Sequence, residues 1–235
     1  MNLLYYILIA LGLFCVTFGA RKKAFTFIIG GLSCSAAVNI SYFHFEIYPF
    51  EMFGLTPGLE SIFFVLTFFG IILYAMKLSR KDAYILIASI SMAMMLANIY
   101  ELVCRLVVYG YTSDVWYKFA TITMTVICIA AVGAPTIELI RYTLHKKHVN
   151  PHVVFIVAII GSVILNSFVN YALIPSTYLD GVDAFAHKLG SSFVGKGICL
   201  VIAIAFYFFN YLIDKKIKQN EEKKKEKEIT QEQNN

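Results

Sequence analysis

The chain has 235 residues, 59% of them hydrophobic and only 15% charged, where soluble proteins carry about 25% charged residues. That balance excludes an ordinary soluble domain and places the chain in a bilayer. The net charge of +5 needs no nucleic acid to explain it, because the bases gather in short loops and a tail.

The predicted elements are seven apolar stretches: Leu3–Gly19, Ala24–Phe43, Gly58–Met76, Ala83–Val108, Trp116–Ile140, Val153–Leu173 and Phe193–Ile213. At 1.5 Å per residue each is about long enough to cross a hydrocarbon core of roughly 30 Å. Lipid offers no partner to backbone N–H and C=O groups, so each stretch must be helical. The expectation is an all-α, polytopic membrane protein with seven transmembrane helices over residues 1–213. A charged tail follows over 214–235; its dense mixture of Lys and Glu predicts a disordered segment or a frayed helix.

The first stretch has no bases ahead of it and is followed by Arg21, Lys22 and Lys23, so it reads as a helix with its N-terminus outside and not as a signal peptide. Bases then follow the third stretch (Lys77, Arg80, Lys81), the fifth (Arg141, Lys146, Lys147) and the seventh (Lys215 onward). All but four of the 20 Lys and Arg residues fall in these segments; the exceptions are Arg105, Lys118, Lys188 and Lys196. The positive-inside rule makes the basic segments cytoplasmic. Tyr42, Tyr48, Tyr109, Tyr111, Trp116, Tyr117 and Tyr178 form an aromatic belt near the opposite ends. A plasma or inner membrane location follows.

The second stretch carries Asn39 in its outer part. The loop 44–57 holds Pro49, Gly54 and Pro57 and is a candidate to dip back into the bilayer. The fourth stretch ends with Asn98, Glu101 and Arg105, three or four residues apart and so on one helical face. The fifth contains Pro135, which removes one ladder hydrogen bond and makes a candidate hinge. The sixth carries Asn166 and Asn170 on one face. Asp180 and Asp183 lie in the last outer loop, where Val182–Leu189 reads as a short interfacial helix. Lys196 lies about a turn below the outer surface in the seventh stretch.

These polar residues share one depth, the outer half of the membrane. If their faces converge, they make a pocket for a small solute. Asn39, Asn98, Asn166 and Asn170 donate and accept at once, which suits a planar heterocycle or an amide edge. Glu101 would accept hydrogen bonds or a proton, while Arg105 and Lys196 would hold an anion. The plainer alternative assigns Glu101 and Arg105 to each other, Lys196 to snorkelling toward headgroups and the asparagines to interhelical hydrogen bonds.

Motifs for catalysis are missing: there is no H-E-x-x-H, G-x-S-x-G or P-loop. Cys15, Cys34, Cys104, Cys128 and Cys199 are scattered and lack ligand spacing. His145, His148 and His152 are interrupted by Asn150 and Pro151. No enzyme activity, cofactor or metal is expected.

Asn39, the segment Phe53–Gly58 (F-G-L-T-P-G), the basic end Lys77–Lys81, Asn166 to Asn170 and Lys196 occur in an order that resembles the queuosine-precursor transporter, or vitamin-uptake-like, family over about residues 33–213. The resemblance implies import of a modified deazaguanine base, with the first stretch as an N-terminal addition. The chain departs from the family pattern at Gly70 and Asn170, where the family carries acids. That departure keeps two other expectations open. One is a sensor or partner-binding protein that moves no solute, with a cytoplasmic partner on the tail; the other is a substrate-binding subunit of an energy-coupled transporter.

Overall fold

The structure, a computed structural model, describes residues 9–10, 12–14, 17, 52–56, 60–111, 113–173 and 182–233. The second apolar stretch with Asn39 lies outside the described residues, as do most of the loop 44–57 and the Asp180 loop. Among the described residues the fold is all-helical. Five helices follow in order: α1 Glu60–Lys77, α2 Arg80–Tyr109, α3 Ser113–His145, α4 Pro151–Leu173 and α5 Val182–Gln233. Among the described residues three segments are long and apolar enough to cross a membrane: Val115–His145, Pro151–Val169 and Phe185–Lys223. The segment Ser61–Lys77 is apolar but shorter.

The helix α1 occupies the centre. Every residue from Ser61 to Ala75 is buried, as expected of a helix that is apolar all round. It packs against α2, α3, α4 and α5, which form an arc in chain order around it. The N-terminal residues join the same core: Ile9, Leu13 and Thr17 recur four apart and are buried. A side chain on Gly12 would collide with Leu66 of α1, so this segment lies directly against the central helix.

The outer helices each show two faces. On α4 the buried residues come as pairs every fourth position: Val154 and Phe155, Ala158 and Ile159, Ser162 and Val163, Asn166 and Ser167. Val153, Val157, Ile164 and Phe168 face outward. In water such exposure would be costly, but lipid tails are as apolar as the side chains themselves.

The end carrying the basic loops is knitted together by polar contacts. Ser79 and Asp82 form a reciprocal capping box at the start of α2, which satisfies orphan N–H groups there. Arg141 of α3 donates to the carbonyl of Leu78 at 3.2 Å, just past the end of α1. Glu138 accepts from Arg80 Nε at 2.8 Å and from the Tyr84 hydroxyl at 2.6 Å. Lys77 and Asp214 approach to 3.7 Å and tie α1 to α5. Below this layer the core is aromatic. Phe155 stacks on Tyr207 at 3.8 Å, with Phe69 edge-on to Phe155 at 5.7 Å.

Pro135 lies within α3, which is helical from Ser113 to His145. The Thr136 hydroxyl bonds the Val132 carbonyl at 2.8 Å and the Ser162 hydroxyl at 2.8 Å, so polar contacts hold α3 to α4 beside the proline. Gly133 sets the spacing one turn away. A Cβ there would stand 2.8 Å from Ile87 Cδ1 and 3.3 Å from Ile71 Cδ1. Gly133→Val is therefore expected to overpack the junction of α1, α2 and α3 and to cost about 1–3 kcal/mol, read as a lower thermal midpoint in detergent.

Val182–Leu189 forms the first turns of α5 and not a separate element. The charged segment from Asp214 extends the same helix to Gln233.

Candidate functional site

At the end of the bundle opposite the basic loops, the chain from Met52 to Leu55 makes a tight turn. Its ends exchange two backbone hydrogen bonds of 2.9 Å, and Phe53 and Gly54 take φ values of 55° and 73°. Positive φ at both central positions is the type I′ geometry, which glycine accepts freely and a phenylalanine does not. The turn is held from below by α5. His187 Nε2 donates to the Gly54 carbonyl at 3.0 Å, and the Thr56 N–H donates to Ser191 Oγ at 3.1 Å. Leu55 rests on Gly190, which offers no side chain to obstruct it.

Beneath this turn the buried face of α5 is small and polar: Ser191, Ser192, Gly195 and Lys196. Lys196 is only 1% exposed. It does not snorkel outward. Its Nζ turns into the protein, donates to Ser167 Oγ of α4 at 2.8 Å and stands 4.5 Å from the centroid of the Phe64 ring of α1. Ser167 in turn donates to the Val163 carbonyl at 2.8 Å. A cation over an aromatic face gains most where water is excluded.

Asn166 lies beside Ser167, one helical rise of about 1.5 Å away along the α4 axis. It is fully buried, and neither its side-chain oxygen nor its nitrogen has a hydrogen-bond partner among the described residues. Ser61 and Thr67, three residues either side of Phe64 on α1, are also buried with hydroxyls that find no partner among the described residues. An amide or hydroxyl buried without a partner costs about 1–3 kcal/mol on mutational scales, so several of them on two packed helices ask for a purpose. Lys196, Ser167 and Phe64 thus meet where α1, α4 and α5 pack, and the same packed helices carry the buried carboxamide of Asn166 and the buried hydroxyls of Ser61 and Thr67. Such a set can meet a molecule carrying both hydrogen-bonding edges and negative charge.

The other sequence-predicted residues separate from this cluster or fall outside it. Asn98 is buried on the seam between α2 and α3, where its Nδ2 donates to the Phe119 carbonyl at 3.1 Å and to Thr123 Oγ1 at 3.2 Å. Both N–H bonds of its amide are thereby engaged. Arg105 is buried on α2 at 7% exposure. Glu101 and Asn170 belong to α2 and α4, but their side chains are outside the described residues, as is Asn39 altogether. Ser61, Phe64, Thr67 and Ser167 were not singled out by sequence, because hydroxyls and phenylalanines in apolar helices read as packing. One signal was present: Ser167 adjoins Asn166, and Ser192 stands four residues before Lys196.

The engaged amide of Asn98 gives a prediction of its own. Asn98→Leu is expected to cost about 0.6–1.7 kcal/mol, the range of interhelical hydrogen bonds in membranes, while leaving the cluster around Lys196 intact. Thermal unfolding of the variant checks this.

Comparison with family models, with curated proteins and with solved structures finds no match for this chain.

Proposed function

We propose that the chain is a seven-span membrane protein, N-terminus outside and C-terminus cytoplasmic, that binds a small heterocyclic or amide-bearing solute from the outer side. The observation that carries this reading is the fully buried carboxamide of Asn166, without a hydrogen-bond partner among the described residues and level with the Lys196–Ser167 contact. Asn166 reads the edge of the solute, Lys196 holds its electronegative or charged portion, and Ser61 and Thr67 complete the set. A planar base of the kind the family resemblance implies has this chemistry. Transport across the bilayer is the activity this reading favours, with Pro135 as hinge.

The test is a thermal-shift screen of purified protein against nucleobases, vitamins and amino acids. A ligand at a hundred times its Kd stabilises the native state by about 2.7 kcal/mol. The wild type is expected to respond to at least one compound class, and Lys196→Met is expected to lose that response. An unchanged response in Lys196→Met rejects the site. Orientation is tested separately, by labelling with an impermeant thiol reagent. Tyr111→Cys is expected to react in intact cells, and Lys147→Cys only after permeabilisation.

A second reading is favoured by the continuation of α5 to Gln233. Beyond Ile213 the helix extends about 30 Å at 1.5 Å per residue, which makes a rigid arm for a cytoplasmic partner. In that case the protein is a sensor or an energy-coupling subunit. Capture of a stoichiometric partner that is lost on truncation at Asp214, with no solute response in the screen, distinguishes it.

A further inference from the structure

A groove of about 130 Å³ opens between α3 and α4 near the basic end. Its α3 wall includes Leu139 and Thr143, its α4 wall Val153, Val157 and Ala158, and Val149 of the connecting loop closes its end. Every side chain except Thr143 is aliphatic, and the Thr143 hydroxyl already donates to the Leu139 and Ile140 carbonyls, both at 2.9 Å. Water has little to bond in such a space, and an empty gap forfeits dispersion contacts along its walls. Within a bilayer the matching occupant is an acyl chain.

The end of the groove selects what that chain is attached to. Thr143 and Val149 flank the loop His145, Lys146, Lys147 and His148, whose side chains are exposed. Lys146 and Lys147 both hold their Nζ over the ring of Tyr142, at 5.7 Å and 6.0 Å from its centroid. Both ammonium groups are thus drawn to one ring, that of the residue preceding Thr143 of the groove. His148 takes a φ of 51° where the chain reverses. The N-terminus of α4 follows at once, with Asn150 Oδ1 accepting from the His152 N–H at 2.9 Å, and its dipole adds positive potential. No acid lies between Leu139 and Ala158. The nearest in sequence, Glu138, is engaged by Arg80 and Tyr84 of α2. Arg141 is turned toward the carbonyls at the end of α1.

We infer that this groove and its basic rim form a binding site for an anionic phospholipid, one acyl chain lying between α3 and α4 and the phosphate meeting Lys146 and Lys147. Juxtamembrane bases act on anionic headgroups in this way, each contributing about a fivefold gain in affinity. The site is at the opposite end of the bundle from Lys196 and does not depend on any solute.

The experiment titrates delipidated protein in detergent with phosphatidylglycerol or phosphatidylcholine and reads bound lipid by native mass spectrometry. The wild type is expected to prefer phosphatidylglycerol at least tenfold. The double variant K146Q/K147Q, altering exposed side chains only, is expected to bring that preference close to unity without changing phosphatidylcholine binding. Val153→Trp, which fills the groove from its exposed side, is expected to weaken long-chain phosphatidylglycerol and spare glycerol phosphate. The proposal is overturned by equal binding of the two lipids to wild type, by a preference that survives K146Q/K147Q, or by glycerol phosphate binding as tightly as the intact lipid.

Discussion

Asn166→Leu raises the thermal midpoint of the ligand-free protein and removes its response to solute; this is the expected result for a polar group retained for binding. Asn166 is 0% exposed, and both polar atoms of its side chain lack hydrogen-bond partners among the described residues. Leucine has a similar size and removes the burial penalty of about 1–3 kcal/mol. A chain of this length gains about 2–4 °C in midpoint per kcal/mol, so a rise of several degrees is expected in detergent. Neighbouring side chains of α4 are aliphatic at Val163 and polar at Ser162 and Ser167, and Ser162 and Ser167 keep their own bonds to Thr136 and Val163. A fall in midpoint would mean that the amide is held by the protein and serves packing.

The largest loss of stability is expected from Phe155→Ala. Phe155 is fully buried, lies nearly parallel to Tyr207 at an interplanar angle of 6°, and meets Phe69 at 87°. In water, Phe→Ala in a core costs about 3–5 kcal/mol, combining lost transfer energy with the cavity left behind. Within a bilayer the transfer part largely disappears, because separated helices would still face hydrocarbon. The cavity part remains: a void of about 100 Å³ at roughly 24 cal/mol per Å³ gives about 2.4 kcal/mol. Unfolding in mixed micelles measures it, with Val201→Ala, on the exposed face of α5, as a control expected to stay within about 0.5 kcal/mol. A loss near 5 kcal/mol would show that this layer is hydrated when the helices part.

The sequence carried the helical class plainly, since long apolar stretches admit no other hydrogen-bonded solution in lipid. It carried the faces poorly. In a soluble helix the buried stripe is the apolar one, but here Val157 and Phe168 face outward while Val163 and Phe155 face inward, and nothing in their chemistry distinguishes them. For the same reason the central place of α1 was hidden: Ser61–Ala75 looks like any other span until its neighbours are known. Lys196 illustrates a different limit. Its place near the start of an apolar stretch was readable, but snorkelling and inward bonding are both open to such a lysine, and the choice is made by Ser167 and Phe64 on two other helices. Asn98 and Asn166 looked equivalent as asparagines in the outer half. The structure separates them by what each meets: α3 offers Asn98 a carbonyl and a hydroxyl, while Asn166 finds no hydrogen-bond partner among the described residues.

In the proposed function, the carboxamide of Asn166 and the ammonium of Lys196 bind a solute. Isothermal titration of the strongest compound from the screen into wild-type protein and Asn166→Leu tests it most directly. Loss of hydrogen bonds to a buried amide is expected to weaken binding by roughly ten- to a hundredfold, with the variant at least as stable as the wild type. Equal affinity in the two proteins would contradict the claim.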